Sequence, residues 1–168
     1  SSDLYVLMAT KNGLIKKTKL EEYSNIRKTG IQGITLKEDD ELIDVRLTDG
    51  SNDIIMVTQS GLSIRFAEEE VRAVGRTSMG VKGITLSKDD KVIGMEPIAD
   101  NKDYILAITE NGFGKRTEVE EYRCQGRAGK GILTYKTTSK TGHIIGIKVV
   151  NDTDDVMMIT DTGVVIRI

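Results

Sequence analysis

Apolar residues along this chain gather into short runs, and each run leads into the same ending, Thr-x-x-Gly. Leu4-Tyr-Val-Leu-Met-Ala-Thr-Lys-Asn-Gly13, Ile54-Ile-Met-Val-Thr-Gln-Ser-Gly61, Tyr104-Ile-Leu-Ala-Ile-Thr-Glu-Asn-Gly112 and Val156-Met-Met-Ile-Thr-Asp-Thr-Gly163 share it. Runs of four to six apolar residues are too short for helices and fit strands covered on both faces. No segment keeps a 3.6-residue apolar period over the ten or so residues a helix needs. The glycines stand 48, 51 and 51 residues apart. The chain therefore reads as one domain of three full repeats and the opening of a fourth, bounded near 1–50, 51–100, 101–151 and 152–168.

Each anchor glycine predicts a tight hairpin, since glycine supplies the positive φ such turns require. One position on comes an apolar residue (Leu14, Leu62, Phe113, Val164) and four positions on a base (Lys17, Arg65, Arg116, Arg167). Two acids follow at positions eight and nine, Glu21-Glu22, Glu69-Glu70 and Glu120-Glu121, in the three full repeats. A glycine-rich basic segment comes next, within 27–34, 72–84 and 123–132. Short strands are then expected at Ile34-Thr-Leu36 and Ile84-Thr-Leu86, an acidic turn at Asp39-Asp40 and Asp89-Asp90, and further strands from Leu42 to Val45, Val92 to Met95 and Ile144 to Ile147. About four short strands per unit is the signature of a propeller-like, all-β blade. An open arc of such blades leaves sheet edges exposed, which suggests either that the sequence is a piece of a larger domain or that another copy covers the edges by self-association.

The composition removes several classes of chemistry. One Cys (Cys124) forms no intrachain disulfide, and with one His (His143) it assembles no Cys/His zinc site. The longest apolar run, Leu4 to Ala9, has six residues, against the roughly 18 a membrane span needs. The acidic pairs recur without a His or a third carboxylate, so acid/base catalysis, metal binding and a bound cofactor are not expected. The net charge of −2 argues by itself against a nucleic-acid partner, yet it is unevenly spread. Residues 1–50 carry 8 bases and 9 acids, 51–100 carry 6 and 8, 101–151 carry 9 and 5, and 152–168 carry 1 and 4. Bases flanked by glycine suit phosphate contact, because the backbone can approach an anion and the cations displace counterions. The recurrent base after each anchor allows two readings: one point of a regular cationic rim, or a partner for the acids that follow it.

Four segments carry a family resemblance over the whole chain: Ala9-Thr-Lys-Asn-Gly-Leu-Ile-Lys-Lys-Thr18, Val71-Arg-Ala-Val-Gly-Arg76, Asn111-Gly-Phe-Gly-Lys-Arg-Thr117 and Met157-Met-Ile-Thr-Asp-Thr-Gly163. The chain resembles the C-terminal domains of the A subunits of bacterial DNA gyrases. The resemblance implies a β-pinwheel of six blades whose basic rim bends duplex DNA. These segments look like its third, fourth and fifth blades and the start of the sixth, with two blades preceding Ser1. The family's heptapeptide Gln-Arg-Arg-Gly-Gly-Lys-Gly belongs to its first blade. Gln125-Gly-Arg-Ala-Gly-Lys-Gly131 is similar to it, with Gly126 in place of an Arg and Ala128 in place of a Gly.

The resemblance and the glycine-rich basic segments together nominate Lys16, Lys17, Arg27, Lys28, Arg65, Arg72, Arg76, Lys82, Lys115, Arg116, Arg123, Gln125, Arg127 and Lys130 as DNA-binding. The implied role is non-catalytic wrapping within an ATP-hydrolysing topoisomerase. The implied partners are duplex DNA, the remainder of the gyrase A polypeptide and the gyrase B polypeptide, in the cytoplasm and on the nucleoid. A topoisomerase IV C-terminal domain and a propeller-like protein-interaction module are the alternatives.

Overall fold

The computed structural model describes residues 3–154, 157–159 and 165–167. The fourth anchor Gly163, the following Val164 and the side chain of Arg167 lie outside the described residues. In chain order the strands are β1 (Tyr5–Thr10), β2 (Leu14–Lys19), β3 (Leu42–Thr48), β4 (Asp53–Thr58), β5 (Leu62–Ala67), β6 (Val81–Lys82), β7 (Val92–Ile98), β8 (Tyr104–Thr109), β9 (Gly114–Glu118), β10 (Ile132–Leu133), β11 (Ile144–Val150), β12 (Met157–Ile159) and β13 (Val165–Arg167). Among the described residues the only helical turns are single 3-10 turns at Leu20–Tyr23, Glu68–Glu70 and Val119–Glu121. No helix there is long and apolar enough to cross a membrane.

All strands pair antiparallel. The sheets run β3-β1-β2-β6, β10-β5-β4-β7, β11-β8-β9 and β12-β13. The chain is thus the all-β, four-stranded blade array that its repeats predict, with one rearrangement. The fourth strand of a blade comes from the repeat after it: β6 of the second repeat pairs with β2 of the first, and β10 of the third pairs with β5 of the second. The strands expected at Ile34–Leu36 and Ile84–Leu86 do not form. Their hydrogen bonds are committed elsewhere. Gly83 and Ile84 donate N–H to Gly13 O, and Thr85 N donates to Gly129 O at 2.8 Å. Thr35 N likewise donates to Ser78 O at 3.3 Å. Successive glycine-rich segments therefore lie against one another, and the two-residue strand forms just ahead of the expected position.

The anchors must be glycine for two reasons. Gly13 and Gly61 hold φ near +96° and +97°, a region L side chains enter at a cost. The following repeat also crosses directly above them: a Cβ at Gly13 would lie 2.7 Å from Ile84 O, and one at Gly61 would overlap Tyr135 O.

Burial on both faces follows from alternation. In β4, Ile54 and Met56 join a cluster with Leu7, Ile15, Phe66 and Met95, whereas Ile55 and Val57 join Ile105, Ala107 and Tyr122. Each first strand is therefore shared between the core on one side of its blade and the core on the other. The strands β3, β7 and β11 contact one another between blades, so they form the inner edge of the arc and β6 and β10 form the outer.

Candidate nucleic-acid interface

Each full repeat places its recurrent base at the same register of its blade. Lys17, Arg65 and Arg116 sit opposite Leu7, Ile55 and Leu106, which brings each to the residue that opens its blade's first strand. Lys17 Nζ lies 5.0 Å from the Tyr5 ring centre and Arg116 Cζ 4.3 Å from that of Tyr104. Arg65 Nε lies 2.9 Å from Asp53 Oδ2. The far end of the same side chain crosses into the next blade. Lys17 Nζ donates to Glu68 O at 3.4 Å and faces Glu68 Oε2 at 3.5 Å. Arg65 Nη1 donates to Val119 O at 2.9 Å and Tyr122 O at 3.1 Å. Arg116 meets Asp152 at 3.3 Å.

Glu68 and Val119 open equivalent 3-10 turns, so these bases work as blade-to-blade ties. Lys17 is buried and Arg65 half-buried, and neither stands free on a rim. Pairing with the two acids that follow four or five residues later does not occur either: Arg65 takes Asp53 at the start of its own blade, and the acids that Lys17 and Arg116 meet, Glu68 and Asp152, lie one repeat on. Lys16, also nominated, is 1% exposed. Its Nζ donates to Gly33 O at 2.6 Å and to Arg76 O. Burial lowers its pKa, opposed by the neighbouring Glu22 carboxylate.

Arg76 and Arg127 occupy equivalent positions in consecutive glycine-rich segments and are half-buried. The backbone N–H of Arg76 donates to Glu22 Oε1 at 2.9 Å and that of Arg127 to Glu70 Oε1 at 3.0 Å. Their guanidinium groups reach Gln32 O and Lys82 O. The second acid of each of the first two pairs thus accepts from the next repeat. Gln125 is half-buried, and its N–H donates to Arg65 O at 2.7 Å.

The remaining nominees are exposed: Arg27, Lys28, Arg72, Lys82, Lys115, Arg116, Arg123 and Lys130. Lys115 lies 5.8 Å from the Tyr135 ring centre. Among the described residues, Arg27, Lys28, Arg72, Lys82, Arg123 and Lys130 have no carboxylate within 4.0 Å. All six belong to the glycine-rich segments at the outer edge, two in each of three successive repeats. Between the first two of these segments lies a polar cleft of about 540 Å³ lined by Glu22, Arg27, Gln32 and Arg76.

The acidic turns serve the hairpins. Asp40 Oδ1 accepts from Asn12 N at 2.9 Å, and Asp90 accepts from Ser60 N at 3.2 Å and Ser60 Oγ at 2.5 Å. Cys124 is exposed, and His143 exchanges main-chain and carboxylate bonds with Glu110. At the inner edge, Arg46 pairs with Glu96 at 3.2 Å and with Asp44. Burial raises the pKa of both carboxyls, with Met95 N–H and Arg46 opposing at Asp44 and Arg46 opposing at Glu96.

The partners of the recurrent base were not legible in the sequence. They are a Tyr, an Asp and a Tyr in its own blade and, for Lys17 and Arg65, a main-chain oxygen about fifty residues further on. A carbonyl leaves no compositional trace.

The family model for the DNA gyrase C-terminal domain, a beta-propeller, matches residues 4–49, 52–99, 103–151 and 154–168. The A subunit of DNA gyrase from Clostridium acetobutylicum is 52% identical over 164 residues, 98% of this chain and 20% of that protein. The A subunit of DNA gyrase from Staphylococcus epidermidis is 46% identical over 170 residues, 100% of this chain and 19% of that protein. The chain therefore spans about a fifth of the length of these relatives. A solved C-terminal domain of DNA topoisomerase IV superposes with a TM-score of 0.91 at 33% identity, over 100% of this chain and 52% of that one. A solved DNA gyrase A C-terminal domain superposes with a TM-score of 0.90 at 23% identity, covering 99% and 56%, and it bears on the fold alone. With the family model covering every repeat and relatives near half identity end to end, the chain belongs to the DNA gyrase C-terminal domain family.

Proposed function

We propose that this chain is a non-catalytic module that binds duplex DNA along its outer edge and bends it, in the service of a gyrase A polypeptide. The observation that carries this is the placement of six exposed, unpaired cations, Arg27, Lys28, Arg72, Lys82, Arg123 and Lys130, on the glycine-rich segments of three successive repeats. Cations carried by successive repeats along one edge would meet phosphates and not bases, so sequence preference would come from DNA bendability. On this reading the partners are duplex DNA, the rest of the gyrase A polypeptide and the gyrase B polypeptide, and the place of action is the cytoplasm and nucleoid.

Salt titration of duplex binding tests the reading. Affinity should fall steeply as salt rises, and each of Lys82→Gln and Lys130→Gln should flatten the slope of log K against log salt by about 0.9. Binding that ignores salt, or slopes unmoved by both variants, would sink it.

A second reading is that the same edge holds DNA without wrapping it. Sealing a nicked plasmid on the protein separates the two. A shifted linking number supports wrapping, and binding with no shift supports simple adhesion.

A further inference from the structure

We infer that Arg76 and Arg127 are positioning residues: each staples two successive repeats together and so sets the spacing at which the exposed cations meet the duplex. The inference rests on the duplex-binding reading above and deepens it. The sequence nominates both arginines for DNA contact, yet both turn their donors inward. Arg127 donates through Nε to Glu70 O at 3.1 Å and through Nη1 to Lys82 O at 2.5 Å, and its backbone N–H donates to Glu70 Oε1 at 3.0 Å. Arg76 repeats the device one blade earlier, from its backbone to Glu22 Oε1 and from Nη1 to Gln32 O.

The carbonyl gripped is in each case the one just before the glycine of the preceding glycine-rich segment, Gly33 or Gly83. Lys82 shows what the grip achieves. It belongs to the second repeat, pairs with Leu14 in the first blade's sheet and is held by Arg127 of the third repeat. Three repeats thus converge on one exposed cation. A rigid edge presents its charges along a set curve, and duplex DNA must bend to reach them all. Charges on unstapled segments would follow the duplex instead of bending it. The staples therefore separate wrapping from simple adhesion.

The test compares the full chain with Arg127→Gln, Arg127→Lys, Glu70→Ala and Lys82→Gln. Two probes are used, a short linear duplex for affinity and salt slope, and a nicked plasmid sealed by ligase for the linking-number shift per bound protein. That ratio does not move with a mere loss of stability in the folded, bound population. Arg127→Gln and Arg127→Lys should each keep short-duplex affinity within about threefold of the parent with the salt slope intact, and each should lose more than half of the linking-number shift. Glu70→Ala, which removes the acceptor of the Arg127 backbone N–H, should lose it too, although removing an acid beside phosphates should by charge alone tighten binding.

A slope flattened by about 0.9 in Arg127→Gln and restored in Arg127→Lys would make Arg127 a phosphate contact and overturn the proposal. So would an unchanged linking-number shift in Glu70→Ala, or a parent chain that binds duplex without shifting the linking number. Lys82→Gln reports on the underlying reading: a salt slope it leaves untouched removes duplex contact at the outer edge, whatever Arg127 does.

Discussion

Arg65 and Val119 lie in different repeats, and Arg65 Nη1 donates to the main-chain oxygen of Val119 at 2.9 Å. One blade earlier, Lys17 reaches the oxygen of Glu68 at the equivalent place. The base four residues after each of the first three anchor glycines is thus a fastening between blades. Its cost of removal should appear in stability before it appears in DNA affinity.

Replacing Arg65 by Ala leaves the oxygens of Val119 and Tyr122 without this donor and Asp53 without its cation. The loss should be about 3 kcal/mol of unfolding free energy. Urea unfolding measures it. Duplex affinity of the folded variant at low temperature should stay within about threefold of the parent, and a large drop there with stability intact would return Arg65 to the DNA-contact set.

Lys17 and Glu68 form a buried ion pair, with Glu68 fully buried and also accepting from Thr48 Oγ1 at 2.5 Å and Asn52 N at 3.2 Å. Lys17→Met strands that carboxylate and should cost about 3–5 kcal/mol. Adding Glu68→Gln neutralises the stranded charge and keeps an acceptor, so the double variant should regain about 1–3 kcal/mol of it. Strict additivity of the two single variants in a double-mutant cycle would show that the pair is not coupled.

Asp40 and Asp90 occupy the same place in consecutive repeats, yet only Asp90 has a hydroxyl partner. Asp90 Oδ2 accepts from Ser60 Oγ at 2.5 Å, while Asp40 Oδ2 is buried with no hydrogen-bond partner where Asn12 replaces the serine. Asn12→Ser should therefore stabilise the chain by about 0.5–1.5 kcal/mol. Thermal unfolding should show a higher midpoint. A lower one would mean that the bond from Asn12 Nδ2 to Asp39 O matters more than the orphaned oxygen.

Burial raises the Glu96 pKa, and Arg46 only partly opposes it. A carboxyl raised in the folded state binds its proton more tightly there than in the unfolded chain. Its contribution to stability is thus complete below the ordinary carboxylate range, near pH 4, and is lost as pH rises through the folded-state value. The unfolding free energy of the parent minus that of Glu96→Gln should accordingly fall as pH is raised from about 4 to 7. A difference that rises over this range would show Arg46 to outweigh burial.

Much of the fold could be read from local pattern. Ile54-Ile-Met-Val and its counterparts are too short for helices and apolar at every position, which only a strand covered on both faces explains. Gly13 and Gly61 mark the hairpins for the same local reason. The strands expected at Ile34–Leu36 and Ile84–Leu86 failed because a β-rich triplet reports what a segment can form and not where its hydrogen bonds are needed. Gly83 and Thr85 spend theirs on Gly13 and Gly129.

By itself, then, the sequence determined the period, the all-β blades and the position of a base in every unit, since each rests on residues within a few places of one another. The tertiary structure decided which repeat completes which blade and which cations remain available. Lys16, Lys17 and Arg65 are drawn inward, Arg76 and Arg127 bind main-chain oxygens, and Lys82, Arg123 and Lys130 stay exposed. Those fates depend on partners about fifty residues away, mostly carbonyl oxygens, which every residue carries and no composition distinguishes.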